Sequence, residues 1–335
     1  MKRIFTVFGL LVLSLLLSCC SDSSDSNPPS NAKSITAFAF EDPAADGTID
    51  ESAHTIEVIV PFGTDVTALV PTIVYTGDSI TPPGGETQDF SGPVVYTVTA
   101  EDASTQDYTI TVTVPAFVCG DPLYYQGETY PTVEIGTQCW LAKNLNAGTM
   151  VLLADGQGTS CSAIEKYCYA DDESNCDTYG GLYTWTQAMC DGVQTEGEQG
   201  ICPAGWHVPS DPEYVVLTNY LGSASCANYR TGNSNYCGAP AGDMLKAAGL
   251  CEGRANCGDS GFNGLMGGLS SSTAYGSPSR IFLQIGVETG FWTSSKNSNN
   301  YESWRSGLAV DQAGVNDTYF YSAWDNGKSV RCVKD

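Results

Sequence analysis

Between residues 33 and 115, apolar and polar side chains alternate with a period of two. Ile56 and Val58 alternate with Thr55 and Glu57, and Val94, Tyr96 and Val98 with Val95, Thr97 and Thr99. Tyr108, Ile110, Val112 and Val114 alternate with Thr109, Thr111 and Thr113. Successive side chains of a strand point to opposite faces, so each run predicts a strand with one face in a core and one in water. Ser34–Phe40 adds a short β-prone run. Asp46-Gly47, Thr76-Gly77-Asp78, Pro82-Pro83-Gly84-Gly85 and Glu101-Asp102-Ala103-Ser104 carry turn chemistry between the runs. Short strands at this spacing predict an all-β sandwich.

After residue 116 the pattern mixes periods, which predicts an α+β unit. Leu182, Trp185 and Met189 share one face of an expected short helix. Ser210 with Glu213 forms a capping box ahead of Tyr214, Leu217 and Leu221, and Gly222 stops that helix. Beyond residue 260 the chain is rich in Gly and Ser with isolated aromatic strands. At the other end, Lys2 and Arg3 precede the apolar run Ile4–Leu17, the length of a signal-peptide core and short for a membrane span.

Composition narrows this picture. The chain has 335 residues, 42% of them hydrophobic, enough for two cored domains at the usual ~150 residues each. Its 38 acidic residues face only 14 basic ones, a net charge of −24 that disfavours nucleic acid as a partner. Of 14 cysteines, all but Cys19 and Cys20 follow residue 118, an even set. With two histidines in the chain and no Cys-x-x-Cys knuckle, a disulfide framework fits better than zinc, and it requires an oxidising compartment.

Leu16, Leu17, Ser18 and Cys19 together resemble the lipobox of bacterial lipoproteins. The resemblance implies cleavage before Cys19 and its modification with acyl chains, palmitate among them. Residues 1–18 are then a signal peptide and 19–32 a flexible Ser-, Asp- and Pro-rich tether. Several acyl chains anchor stably where one binds marginally. The expected location is the bacterial outer membrane or cell surface. Residues 33–115, with a VP-x-GTDVT-x-L-x-P segment followed by YTVTAED and YTITVTV, resemble the immunoglobulin-like modules of extracellular lipoproteins, which imply a spacer.

The second unit, residues 116–335, carries a more specific set of motifs: YPTVEIGTQCWLAKNL from Tyr130, GGLYTWTQAM from Gly180, GICPAGWHVPSD from Gly200, SGF at Ser260, FWTSS at Phe291 and SVRCVKD at Ser329. In this order they resemble the Fibrobacter succinogenes major paralogous domain, a family of bacterial surface modules. The resemblance implies a C-type-lectin-like fold, which also houses formylglycine-generating enzymes. Glu213-Tyr214 replaces the family's Glu-Trp, and Leu265-Met266-Gly267-Gly268-Leu269 departs from its usual glycine segment. Trp140, Trp185 and Trp206 are expected to anchor separate segments on one core. The pairing expected for the cysteines, one among many arrangements, is Cys119–Cys139, Cys161–Cys190, Cys168–Cys176, Cys202–Cys332, Cys226–Cys237 and Cys251–Cys257.

Candidate chemistry is sparse. His207 lies within Gly-Trp-His-Val-Pro with no nucleophile marked in sequence, and reads as structural. Asp171, Asp172, Glu173, Asn175 and Asp177 crowd oxygen ligands into one loop, so calcium is a candidate there, although EF-hand spacing is missing. Tyr301, Trp304, Trp324, Asp325 and Asn326 combine aromatic faces with hydroxyl-binding groups and are the candidate ligand-binding residues. No catalytic residue and no other cofactor is expected. The expected function is non-catalytic binding or adhesion to an extracellular glycan or protein. A structural envelope role is the alternative, and a formylglycine-generating-like oxidoreductase a distant one. If Cys19 is the anchor, Cys19→Ala moves the chain from the detergent-extracted membrane fraction to the soluble fraction; continued membrane association would refute the assignment.

Overall fold

The computed structural model describes residues 28–190, 195–223, 236–272, 279–296, 303–318 and 325–335. The first unit runs β1 (Ile35–Glu41), β2 (Ala44–Asp50), β3 (Thr55–Ile59), β4 (Pro71–Tyr75), β5 (Ser79–Thr81), β6 (Val94–Thr99) and β7 (Thr105–Thr113). Their order is β4-β1-β2-β3-β7-β6-β5, with β3 and β7 parallel. The sheet folds over on β2. Ala44–Asp46 pair with β1, whereas Gly47–Asp50 pair with β3. Asp46-Gly47 is therefore no turn. Gly47 sits where the two halves close on each other, and a Cβ there would lie 2.8 Å from Ile56 Cγ2 and 3.0 Å from Phe38 O.

The period of two is realised in the core. Ile56, Val58, Tyr96, Val98, Tyr108 and Ile110 are buried, and Ile59 on the opposite face is exposed. Phe38 from β1 meets Tyr96 from β6 edge-on at 5.8 Å, and Phe40 meets Phe90 at 5.3 Å. These contacts join the two halves in one apolar layer.

The second unit continues with β8 (Leu123–Tyr125), β9 (Glu128–Tyr130), β10 (Thr132–Ile135), β11 (Gln138–Leu141), β12 (Thr149–Met150) and β13 (Glu165–Lys166). Helices α1 (Glu173–Tyr179) and α2 (Trp185–Ala188) follow, then β14 (Trp206–His207), α3 (Asp211–Tyr220), β15 (Tyr236–Cys237) and α4 (Ala241–Leu245). Strands β16 (Gly267–Ser272), β17 (Arg280–Ile285), β18 (Glu288–Lys296), β19 (Ser303–Ala309), β20 (Val315–Thr318) and β21 (Val333–Lys334) complete it. The larger sheet is ordered β15-β20-β19-β18-β16-β17 and the smaller β10-β11-β21-β14. No helix among the described residues is long and apolar enough to cross a membrane.

The Ser210–Glu213 capping box forms in full and starts α3, which buries Tyr214 and Leu217; Gly222 follows with φ 90°. The expected helix from Leu182 begins only at Trp185. Leu182 instead exchanges both backbone hydrogen bonds with Tyr167, at 2.9 Å each. The three tryptophans serve two clusters rather than one core. Trp185 and Trp206 pack with Leu145, Met189 and Ile201, whereas Trp140 packs with Tyr214, Leu217 and Phe262.

The last segment of the chain separates the clusters. Val330 and Cys332 face the first and Val333 faces the second. Arg331, 1% exposed, lies 4.2 Å over the Phe262 ring. Its Nη1 donates to Leu141 O at 3.0 Å and to Phe262 O, and its Nε and Nη2 donate to Asn144 Oδ1. No carboxylate pairs with it among the described residues, and burial pulls its pKa down to about 9.

Five bridges lie among the described residues: Cys119–Cys139, Cys161–Cys190, Cys168–Cys176, Cys202–Cys332 and Cys251–Cys257. Cys226 lies outside the described residues, as does the side chain of Cys237. The Cys202–Cys332 bridge spans 130 residues, a loop for which chain entropy predicts ~4–5 kcal/mol of stabilisation. Arg331→Met keeps most of the side-chain volume but leaves three buried acceptors unmet. It should cost on the order of 3 kcal/mol in urea unfolding; an unchanged midpoint would show that these acceptors do not need the guanidinium.

Candidate functional site

At the outer edge of the larger sheet, a cleft of about 730 Å³ opens between β17 and the turn ahead of α1. Leu153, Tyr169, Asp171, Arg280, Ile281 and Phe282 line it. The Cys168–Cys176 bridge ties off the turn, and Asn175 Nδ2 donates to Tyr169 O at 2.9 Å. Ala170 and Asp171 both hold left-handed backbone, at φ 60° and 56°. That conformation costs a non-glycine residue roughly 1 kcal/mol or more, and such outliers cluster where a side chain must be aimed. Here Asp171 Oδ1 accepts from Leu153 N at 2.8 Å, which joins the turn to the opposite lip.

The aromatic floor of the cleft is a pair. Tyr169 and Phe282 stand with ring centroids 5.1 Å apart and planes at 41°, both partly exposed. Gly268 on the neighbouring strand makes room for this pair. It has φ 71°, and a Cβ there would lie 2.6 Å from Leu283 O and 2.9 Å from Tyr169 Cε2. Beside the rings, Arg280 Nη1 donates to the buried Tyr167 hydroxyl at 2.5 Å. Its Nη2 lies 3.6 Å from Asp325 Oδ2. A guanidinium has five N–H donors, so this fixed Arg280 can still donate into the cleft. Stacking faces, fixed donors and a carboxylate acceptor meet there.

The expected ligand-binding residues contribute in part. Asp325 orients Arg280, and Asn326 Oδ1 accepts from Ser272 N at 3.3 Å. Tyr301 and Trp324 lie outside the described residues, as does Cys19; Trp304 belongs to β19, but its side chain is not described. Of the acidic run, Asp172 caps α1 through Ser174 N, Asp171 holds Leu153 and Asn175 holds Tyr169. Glu173 lies in the first turn of α1 and Asp177 further along it. No group of three or more His, Cys, Asp or Glu among the described residues is arranged to hold a metal ion. Sequence reasoning missed Tyr169, Arg280 and Phe282. The one available signal was a lone arginine, in a chain of 14 basic residues, heading an apolar run in a Ser- and Gly-rich region.

Two other hollows have different chemistry. One of about 440 Å³ lies between the units, lined by Asp42, Asp65, Leu69 and Tyr124, and the Tyr124 hydroxyl donates to Asp42 Oδ1 at 2.8 Å. The other, of about 480 Å³, surrounds His207. There Nδ1 meets Asp335 Oδ1 at 2.7 Å and Nε2 meets Glu213 Oε1 at 2.8 Å. With both ring nitrogens taken by carboxylates, the imidazole has none left to activate a nucleophile. Burial is the largest influence on His207 and lowers its pKa, but the hydrogen bonds to Glu213 and Asp335 outweigh it and hold the pKa above 6.5. For Glu213, burial pushes upward, and the bonds from His207 and Ser210 hold it below 4.5.

A family model for the Fibrobacter succinogenes major domain matches residues 133–334, which include every residue of the cleft. The chain belongs to this family. A second model, for the N-terminal domain of SGBP, matches residues 35–112. No curated protein matches the chain. Among solved structures, a proposed secreted protein from Bacteroides fragilis is 16% identical, over 27% of this chain and 100% of its own, with a TM-score of 0.22. A DUF4623 family protein from Bacteroides eggerthii is 18% identical, over 33% of this chain and 31% of its own, at 0.23. A proposed glycoside hydrolase from Bacteroides thetaiotaomicron is 16% identical, over 92% and 91%, at 0.24. At these scores the likenesses do not establish a shared fold.

The His207 cluster makes stability depend on pH in both directions. With its folded pKa raised, the His207 contribution is complete below 6.5 and is lost as pH rises through the folded value. With its folded pKa lowered, the Glu213 contribution is present above 4.5 and is lost as pH falls through the folded value. The difference in Tm between wild type and His207→Gln should therefore be largest between pH 4.5 and 6.5 and shrink on either side. Melting curves across that range check it, and a difference independent of pH would contradict it.

Proposed function

We propose that this chain is a non-catalytic surface lipoprotein that binds an extracellular glycan in the cleft beside β17. The observation that carries the reading is the Tyr169–Phe282 pair standing next to Arg280 and Asp171. Aromatic faces stack on the C–H face of a pyranose, while the guanidinium donates to sugar oxygens and the carboxylate accepts from hydroxyls. A preformed, mostly apolar hollow with a few convergent polar groups is what a small-ligand site requires. The match of residues 35–112 to the N-terminal domain of SGBP, a surface glycan-binding protein, supports the same reading.

The remaining parts of the proposal rest on sequence. Residues 1–18 act as the signal peptide, Cys19 carries the acyl chains and 19–32 form the tether. An immunoglobulin-like spacer at 33–115 raises a C-type-lectin-like unit at 116–335 from the outer membrane or cell surface. Tyr301, Trp304 and Trp324 remain in this proposal as further ligand-binding residues, on side-chain chemistry alone. Calcium is not needed for it, because Asp171, Asp172 and Asn175 already bond to nearby backbone.

The test applies the mature chain to immobilised polysaccharides with calcium and then with chelator. Retention should be saturable on at least one polymer and survive chelation. Tyr169→Ala and Phe282→Ala should each weaken it about tenfold, or ~1.4 kcal/mol, with little change in Tm. Retention that is unaffected by both variants would move binding away from this cleft. Failure to bind any polymer would leave a protein ligand as the remaining binding role.

A further inference from the structure

We infer that the cleft selects neutral, hydroxyl-rich polysaccharide and turns away chains bearing carboxylate or sulfate groups; this rests on the glycan-binding reading above. The lone cation decides the matter. Arg280 is the only cationic side chain among the described lining residues. An unpaired guanidinium would make the cleft an anion receptor. Arg280 is not unpaired. It is 19% exposed, its Nη2 lies 3.6 Å from Asp325 Oδ2, and its Nη1 is committed to the Tyr167 hydroxyl. The pair therefore enters the site as a nearly neutral unit whose remaining N–H groups can still donate hydrogen bonds.

Asp171 then sets the sign. Its carboxylate lines the cleft, and no second cation answers it among the described lining residues. Arg280, Asp325 and Asp171 together carry one net negative charge. Asp155 lies just beyond the Leu153 lip, and Asp172 and Glu173 follow Asp171, all exposed. The whole chain carries −24. A uronate or sulfate ester seated beside Tyr169 would meet this field within the ~10 Å screening length of 0.1 M salt. A neutral pyranose meets no such barrier. Its hydroxyls can donate to Asp171 and accept from Arg280, while its ring hydrogens cover Tyr169, Phe282 and Ile281, the last 43% exposed. Selection here comes from a repulsive group beside attractive ones.

The experiment uses the full mature chain in affinity electrophoresis and calorimetry, at low and at high salt. The neutral probes are xyloglucan, glucomannan and galactomannan, and the anionic probes are polygalacturonate, alginate and heparin. The expected result is retention by at least one neutral polymer that changes little with salt, and at least about tenfold weaker retention by every anionic one. The double variant Asp171→Asn/Asp325→Asn frees the guanidinium and removes the repelling carboxylate. It should gain about tenfold or more on polygalacturonate at low salt, a gain that high salt abolishes. Wild-type retention by an anionic polymer equal to or stronger than by the neutral ones would overturn this inference and leave the glycan-binding reading standing. A double variant that gains nothing, with Tm close to wild type, would overturn the electrostatic origin of the selection. Retention by no polymer would overturn the glycan-binding reading itself, and the inference with it.

Discussion

The second unit depends on a buried cation, Arg331, that has no counter-ion among the described residues. Arg331 is tied to two carbonyls and one amide oxygen and stacked on Phe262, so its charge is solvated by protein dipoles and a ring face rather than by a carboxylate. Its partners come from two separate stretches of chain, Leu141–Asn144 and Phe262. Asn144 passes the tie on, because its Nδ2 donates to Tyr179 O at the end of α1. Residues on either side of Arg331 sew the two sheets together. Leu141 N donates to Cys332 O and Leu145 N to Val330 O on one side, and Trp292 N donates to Ser329 O on the other. One guanidinium thus fixes the strand that divides the two apolar clusters.

The cleft lies at the far edge of this framework. Its turn ends in α1, which Asn144 secures, and its strand β17 hangs on β16 through five paired positions. Lys328 shows the same economy of charge deeper in the sheet. Its ammonium lies 4.0 Å over the Trp292 ring, and burial holds its pKa well below the ordinary value. Fixed backing of this kind lets a small constellation keep its geometry without a ligand to organise it.

The two units do not simply hang on a thread. Phe62 from the first forms a β-bridge with Leu123, Tyr124 reaches Asp42, and Phe117 packs between Phe62 and Trp206. An aromatic chain therefore runs from the linker into the core of the second unit. If the first unit serves as the spacer proposed above, this coupling would present the cleft at a set orientation.

Much of the local structure was legible in sequence because its causes are local. Alternation at Ile56, Val58, Tyr96, Val98, Tyr108 and Ile110 named a core face, and Ser210 with Glu213 named a helix start. Short cysteine spacings such as Cys168 to Cys176 suggested their own loops. Asp46-Gly47 misled, since glycine serves a close approach between strands as readily as a turn, and only the partner strand distinguishes them. Of the cleft, the sequence marked Asp171 and Asp325 but neither the aromatic pair nor Arg280. Tyr167 and Arg280 meet across 113 residues of sequence, and Tyr169 faces Phe282 only because Gly268 leaves space beneath the ring. Arg331 likewise looked like one more basic residue in a short motif. Periodicity and turn chemistry record which face a residue shows its neighbours, and they determined the strands, the capped helix and the local staples. Which distant residues share a cavity, and whether a cation is paired with a carboxylate or with a ring, follow from sheet order and register, and those only the tertiary structure decided.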